Sequence, residues 1–370
     1  MTREPQRALD DALMARALVL AEKYRGRTAP NPIVGCVVAS ARGDVLAEGA
    51  HAAAGKPHAE IVALRKAGAR ARGATLYVTL EPCRHHGRTP PCLPAVRESG
   101  VARVVVGSED PVPGHGGGLA ALRRAGIAVG RALVAECDAA NRPFFTWAMY
   151  GRPAFTLKAA VTLDGKIATV AGQSKWITGE AARADVHRLR DTHDAVLVGI
   201  STVLADDPRL DARLPRARDP VRVVLDSRLR TPPRARLLPG QVGPRTIIAC
   251  GERAPSAAER ALARAGAEIW RFPVHASGRV RLPDLARRLG REGLTSVLVE
   301  GGGEVHAAFL EARLADELVL YIAPKIVGGP APSWVGGKGL GTLASAYRFE
   351  LGDAAPIGGD LRVRARRKDT

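Results

Sequence analysis

Apolar positions in the first part of the chain follow two periods. From Ala8 to Tyr24 they recur every three to four residues, as in an amphipathic helix. Ile33–Ala39 (IVGCVVA) and Val45–Gly49 are short apolar runs on either side of Arg42-Gly43-Asp44, which predicts two strands and a turn. A helix is predicted over His58–Ala69, just after Pro57. Thr75–Leu80 and Val101–Val106 read as strands, Ala120–Ala125 as a short helix and Ala128–Leu133 as a last short strand. This alternation predicts α/β layers. The segment Glu136–Pro153 reads as a junction, ending in the turn sequence Tyr150-Gly151-Arg152-Pro153. It divides the chain into domains 1–150 and 151–370.

The second part restarts with a strand over Ala154–Val161. Further strands are predicted at Ala195–Val198, Val221–Leu225, Thr246–Ala249, Ser296–Glu300 and Glu317–Ala323, with helices at Gly179–Asp191 and Ser256–Ala265 among them. This is a second α/β domain. The Arg- and Pro-rich stretch Leu214–Pro239 is expected to be surface loop in part, and no internal repeat is visible.

Composition narrows the classes. With 46% hydrophobic and 25% charged residues, a chain of 370 residues is globular rather than disordered. No apolar run approaches the ~18 residues of a membrane span. Met1–Tyr24 mixes Arg, Glu and Asp with Leu and Ala and lacks the apolar centre of a secretory signal, so the cytoplasm is the expected location. The net charge of +18 comes from 46 Arg and 9 Lys spread along the chain. Aromatics are only 4%, which leaves few stacking platforms for single-stranded nucleic acid. Dispersed surface charge is therefore the reading, and nucleic acid is not an expected partner. Five cysteines are too few and odd in number for a disulfide framework. Cys36, Cys137 and Cys250 lie in apolar contexts and read as core thiols.

Cys83 and Cys92 differ in their surroundings. Pro57-His58-Ala59-Glu60 opens a helix, and Thr79-Leu80-Glu81-Pro82-Cys83 is followed by Arg84-His85-His86-Gly87-Arg88-Thr89-Pro90-Pro91-Cys92. One imidazole and two thiolates make a three-ligand zinc site with a position open to water, the catalytic kind. Glu60, two residues after His58, can reach such a water without ligating the metal and move its proton. Two thiols at this spacing could instead close a structural site with His85 or His86, giving a zinc-stabilised binding module. The joint occurrence of His-Ala-Glu and TLEPC favours the catalytic site. Deaminases of polynucleotides place two residues between these cysteines, whereas eight stand here. That spacing argues against a nucleic-acid deaminase.

The run TLEPCRHHGRTPPC, with TAPNPIVGCV and HAAAGKPHAE before it, resembles the bifunctional riboflavin-biosynthesis deaminase-reductases. The resemblance implies an N-terminal cytidine-deaminase-like αβα domain with one zinc on His58, Cys83 and Cys92 and Glu60 as proton shuttle. It also implies substrate contacts from Asn31, His51, His85 and Asp110. One departure is Val112 in Asp110-Pro111-Val112-Pro113, where the family carries a polar residue and a loop about one residue longer.

No GxGxxG follows the first strand of the second domain. What stands there is LKAAVTLDGK (157–166), GQSKWIT (172–178), VGISTVLADDP (198–208), Leu225-Asp226-Ser227-Arg228 and Val299-Glu300-Gly301-Gly302-Gly303-Glu304. Three glycines between a strand and a helix let backbone N–H groups approach a pyrophosphate. Ser227 and Arg228 at a strand end suit a 2′-phosphate. This set resembles the reductase half of the same family over most of residues 154–330. It implies a dihydrofolate-reductase-like α/β fold with NADPH contacts at Ala160, Trp176, Thr202, Asp206, Ser227 and the run Gly302, Gly303, Glu304, Val305, His306, Ala307 and Ala308. Substrate contacts are implied at Ser174, Arg190, Leu210, Arg213 and Glu300, with Arg190 and Arg213 as phosphate clamps. Asp211 stands where the family commonly has Thr, and a carboxylate there would repel a phosphate unless turned away. The proton donor is Asp206 or Lys158.

The implied activities are consecutive. The first is hydrolytic deamination of 2,5-diamino-6-(5-phosphoribosylamino)pyrimidin-4(3H)-one. The second is NADPH-dependent reduction of the ribosyl chain to give 5-amino-6-(5-phosphoribitylamino)uracil. The resemblance further suggests a homodimer or tetramer.

Overall fold

The structure, a computed structural model, describes residues 3–87, 89–238, 240 and 243–368; Arg88 of the insert between the cysteines and Pro239 of the Arg/Pro-rich stretch lie outside these. Two units emerge, 1–151 and 152–370.

The first unit contains α1 (Arg3–Glu22), β1 (Gly35–Ala39), β2 (Val45–Ala50), α2 (Ala59–Ala67), β3 (Thr75–Leu80), α3 (Cys92–Glu98), β4 (Arg103–Ser108), α4 (Gly118–Arg124), β5 (Ala128–Arg131) and α5 (Val134–Tyr150). Its sheet runs β2-β1-β3-β4-β5, with β1 antiparallel to both neighbours and β3, β4 and β5 parallel. Side chains alternate between the two faces. Cys36, Val38, Leu76, Val78, Val104 and Val106 pack with α2, α3 and α4, while Val37, Ala39, Tyr77 and Val105 pack with α1 and α5. Burial on both faces is why these strands read as unbroken apolar runs. At Gly35 the backbone of α1 comes so close that a Cβ would lie 1.9 Å from the Ala17 oxygen.

The segment read as a junction is instead the 17-residue helix α5, with Pro143 inside it and Gly151 ending it at φ 64°. Proline removes one helical hydrogen bond, but the buried face of α5 outweighs that local penalty. Asn141 Oδ1 accepts from Ile33 N, and its Nδ2 donates to Ile33 O, at 2.9 Å each.

The second unit contains β6 (Ala154–Thr162), α6 (Glu180–Thr192), β7 (Ala195–Gly199), α7 (Ile200–Asp206), β8 (Val221–Leu225), β9 (Thr246–Gly251), α8 (Ser256–Arg264), β10 (Ala267–Phe272), α9 (Leu282–Arg291), β11 (Ser296–Val299), α10 (Gly303–Glu311), β12 (Glu317–Ala323), β13 (Phe349–Ile357) and β14 (Asp360–Arg367). The sheet order is β10-β9-β8-β7-β11-β6-β12-β14-β13. The strands from β10 to β12 are parallel, and the β13–β14 hairpin adds antiparallel to β12. One face packs with α9 and α10 through Leu285, Leu289 and Phe309. The other packs with α7 and α8 near β8 and β9, and with α6 near β11 and β12. Within the Arg/Pro-rich stretch, Leu229, Ala235 and Leu237 turn into the core. The closing hairpin was not among the predicted elements: β13 is largely exposed, and β14 is mostly half-buried although Leu361, Val363 and Ala365 alternate with arginines along it. Among the described residues no helix is long and apolar enough to cross a membrane.

Candidate active sites

Three elements of the first unit meet at one point. His58 is the N-cap of α2, Cys83 lies just after β3, and Cys92 is the first residue of α3. The His58 Nδ1 is 3.1 Å from Cys92 Sγ and 3.5 Å from Cys83 Sγ, and all three donor atoms lie within 4.8 Å of one another. The other ring nitrogen, Nε2, is 2.9 Å from Thr89 Oγ1. Thr89 thus orients the imidazole so that Nδ1 faces both sulfurs, as an outer partner does in metal sites. A nitrogen and two sulfurs converging on one point fit zinc. The hydrogen bonds from Cys92 and His58 hold the Cys83 thiol down to about 4. Its hydrogen bond to Cys83, then burial, pushes the Cys92 thiol up.

Glu60 lies in the first turn of α2 and is 3% exposed. Burial lifts its carboxyl to about 7. His51 sits edge-on to His58 with ring centroids 5.3 Å apart. Its Nδ1 is 3.2 Å from Pro57 O and its Nε2 3.1 Å from Asn31 Nδ2, so it donates to the carbonyl and accepts from the amide. Burial lowers its pKa, in keeping with a neutral ring.

Asp110 Oδ1 accepts from Val112 N at 3.0 Å, so position 112 contributes its backbone to the loop and needs no polar side chain. His85 stacks on His115, centroids 4.0 Å apart, and His115 Nδ1 is 3.7 Å from Asp110 Oδ2. Glu81 shapes this loop: its two carboxylate oxygens accept from Asp110 N and Leu119 N. The parts played by Glu81, Thr89 and His115 escaped the sequence reading, although Glu81 and Thr89 stand inside the motif that drew attention.

In the second unit the strand ends β6, β7 and β11 open onto a cavity of about 680 Å³, at the edge where parallel sheets take their ligands. Lys158, Ala160, Ser174, Trp176, Arg190, Thr202, Asp206, Leu210, Arg213, Glu300, Gly302 and His306 all line it. At its base Arg190 grips Glu300 with two bonds, Nε to Oε1 at 2.6 Å and Nη2 to Oε2 at 2.9 Å. Lys158 Nζ stands 3.5 Å from Glu300 Oε2. Burial by itself would raise the Glu300 carboxyl, but the two cations outweigh it and hold it down to about 2. Burial pulls the Lys158 ammonium below its usual value. Asp206 is more open and receives the Ser174 hydroxyl at 3.4 Å.

Arg190 is thus committed to Glu300 and, through Nη1, to the Asp211 carbonyl at 3.0 Å. It braces the site's carboxylate and does not stand as a free clamp. Asp211 is buried and taken up from both sides, by Arg213 Nε at 2.7 Å and Arg209 Nε at 2.8 Å. The repulsion expected of a carboxylate here is answered by those two guanidinium groups.

A second cavity of about 330 Å³ is lined by Ser227, Arg228, Arg230, Arg279, Glu304, Val305 and Ala308 among others. The run Gly302–Ala308 therefore divides by helical period. Gly302 and His306 face the larger cavity, and Glu304, Val305 and Ala308 face the smaller one. The linings of these two cavities do not include Gly303 and Ala307. A Cβ on Gly303 would lie 2.5 Å from Ser333 O, and Ala307 is buried in the core.

Residues 153–362 match the family described as RibD C-terminal domain, and residues 7–108 match the cytidine and deoxycytidylate deaminase zinc-binding region. The riboflavin biosynthesis protein RibD of Actinobacillus pleuropneumoniae is 43% identical over 351 residues, covering 94% of this chain and 93% of that protein. The chain belongs to the RibD family. RibD of Escherichia coli is 40% identical, with 95% of this chain and 98% of that one covered. The crystal structure of a Thermotoga maritima diaminohydroxyphosphoribosylaminopyrimidine deaminase/5-amino-6-(5-phosphoribosylamino)uracil reductase superposes with a TM-score of 0.84 at 36% identity, covering 98% of this chain and all of that one. RibD of Acinetobacter baumannii gives 0.83 at 36%, covering 98% and 99%. A deaminase zinc-binding unit and a RibD reductase unit in one chain make this a bifunctional riboflavin-biosynthesis deaminase and reductase.

Proposed function

We propose that His58, Cys83 and Cys92 hold the zinc of the deaminase unit and that Glu60 moves the proton. The metal, when bound, supplies Lewis acidity that brings the pKa of a coordinated water to about 7. Glu60 takes the proton of the attacking water and returns it to the leaving amine, a task suited to a buried carboxyl lifted toward neutrality. With its Nδ2 engaged on His51, Asn31 presents Oδ1 to a pyrimidine N–H. Asp110, fixed by Val112 N, and His85 read the remaining polar edge. The assembly of one imidazole and two thiols from three separate elements is the observation that carries this reading.

In the reductase unit, the larger cavity takes the ribosylamine and the nicotinamide end of NADPH, with Ala160, Trp176 and Thr202 on the cofactor. The smaller takes the adenosine end, with Ser227 and Arg228 at the 2′-phosphate. NADPH supplies the hydride. As C1′ gains it, the bond from C1′ to the ribose ring oxygen breaks, and that oxygen needs a proton. We assign Lys158 as the donor: its ammonium is buried at the cavity base and held by Glu300, while Asp206 lies nearer solvent and positions Ser174.

The substrate is a small phosphorylated pyrimidine, nucleic acid is not a partner, and the enzyme works in the cytoplasm as a homo-oligomer. The test is a one-pot assay of NADPH oxidation on zinc-replete protein. Wild type is expected to consume NADPH with the diaminopyrimidine ribotide, and Glu60→Ala only with the deaminated intermediate. Consumption by Glu60→Ala from the first substrate would overturn the assignment of Glu60.

A further inference from the structure

The segment 174–178 forms part of the wall of the larger cavity and carries two of the contacts assigned above, Ser174 and Trp176. Among the described residues its backbone makes no hydrogen bond to other backbone groups, and it belongs to no helix or strand. Side chains from elsewhere hold it. Ser174 donates to Asp206 at 3.4 Å, and Arg183 Nη1 donates to the Thr178 carbonyl at 2.8 Å. The middle of the segment is held by Lys325, 149 residues after Trp176. Its Nζ donates to the Trp176 carbonyl at 3.0 Å and to the Ile177 carbonyl at 2.7 Å. Both bonds come from a charged donor, the stronger kind. The lysine is itself fixed through its backbone. Its carbonyl accepts from Leu163 N at 2.8 Å, and Asp164 accepts from Val327 N and Gly328 N at 3.2 and 2.7 Å. Lys325 thereby ties the turn after β6, the strand that carries Lys158 and Ala160, to the cavity wall. The Trp176 side of that wall has little packing of its own. Its residue is 63% exposed, with the Arg183 guanidinium 4.6 Å from the ring centre. The place of the indole therefore depends on how its backbone is held.

We propose that Lys325 is a positioning residue for the cofactor: by holding the Trp176 and Ile177 carbonyls it sets the indole against the nicotinamide end of NADPH. The cavity lining does not include Lys325, so its effect on a ligand passes through the segment it holds. That effect falls on NADPH more than on the ribosylamine, because Ser174, the substrate contact in this segment, has its own anchor in Asp206. The inference rests on the reductase reading above, in which Trp176 meets the cofactor.

The experiment is steady-state reductase kinetics on the full chain with the deaminated ribosylaminouracil phosphate, varying each substrate in turn. The variants are Lys325→Met, which keeps an apolar stem and removes the donors, and Lys325→Arg, which keeps the charge and donors. Losing two solvent-exposed bonds is expected to raise KM for NADPH about fivefold in Lys325→Met. Its kcat at saturating NADPH and its KM for the ribosylamine should stay within about twofold of wild type, which also shows that the unit is folded. Lys325→Arg is expected to recover most of the loss. An unchanged KM for NADPH, a fall in kcat alone, an equal rise in both KM values, or an arginine variant as impaired as the methionine one would overturn the proposal. Trp176→Ala separates this from the underlying reading. If it raises KM for NADPH and Lys325→Met does not, the proposal fails alone. If Trp176→Ala has no such effect, or wild type oxidises no NADPH, the reductase reading fails first and takes this inference with it.

Discussion

Replacing Glu300 by Gln tests how the second unit is held together at its active site. The carboxylate is 7% exposed and carries two bonds from Arg190 and a longer contact from Lys158. Held from an ordinary 4.5 down to about 2, it is stabilised in the folded state by about 3 kcal/mol. That agrees with the ~3–5 kcal/mol lost when one partner of a buried ion pair is removed and the other charge is left behind. For a domain of this size the loss corresponds to a fall in Tm of about 6–12 °C. The pH dependence has a definite sign. Because folding depresses this pKa, the stabilisation is complete above about pH 4.5 and drains away as the pH falls toward about 2. Thermal unfolding of wild type and Glu300→Gln, followed from neutral to acid pH, should show a gap that is widest at neutrality and narrows through that window. Adding Arg190→Gln to Glu300→Gln should cost less than the two single losses combined, since the second change removes a stranded charge. A loss below about 1 kcal/mol at neutral pH, or a gap indifferent to pH, would refute the claim that Glu300 is the ionised anchor of the cavity.

Three further outcomes are expected. Glu60→Gln should lower deamination by about 10²–10⁴-fold while zinc content by atomic absorption and reductase turnover stay at wild-type levels; a loss of zinc would make Glu60 a ligand. Gly35→Ala should destabilise the first unit by about 3 kcal/mol or more in urea, because the new Cβ meets the Ala17 carbonyl at 1.9 Å and backbone must move; an unchanged midpoint would refute that packing. Asp10 is the third case: burial would raise its carboxyl, but bonds from Arg103, Gln6 and Tyr77 outweigh this and hold it low. Asp10→Ala should therefore cost about 3 kcal/mol at neutral pH, and the cost should shrink as pH falls below the ordinary carboxylate range. A cost that grows in acid would reverse the argument.

Local pattern determined a large part of this protein. Both faces of the central strands are buried, so strands such as Gly35–Ala39 and Val104–Val106 are apolar at every position and legible without a partner. The zinc cluster was legible too, because His58, Glu60, Cys83 and Cys92 are chemically distinctive and sit in two short motifs. Tertiary structure decided what depends on residues far apart in the chain. Pro143 and Gly151 look like a linker until the pairing of Asn141 with Ile33, 108 residues away, fixes α5 on the sheet. No local rule says that Arg190 spends its guanidinium on Glu300, 110 residues on, or that Asp211 is neutralised by Arg209 and Arg213. The division of Gly302–Ala308 between two cavities and the core likewise follows from how α10 is seated, since a helix can present only part of its circumference to a ligand. Residue types announce which chemistry is available, but which charge is free to use it depends on the partners that folding brings alongside.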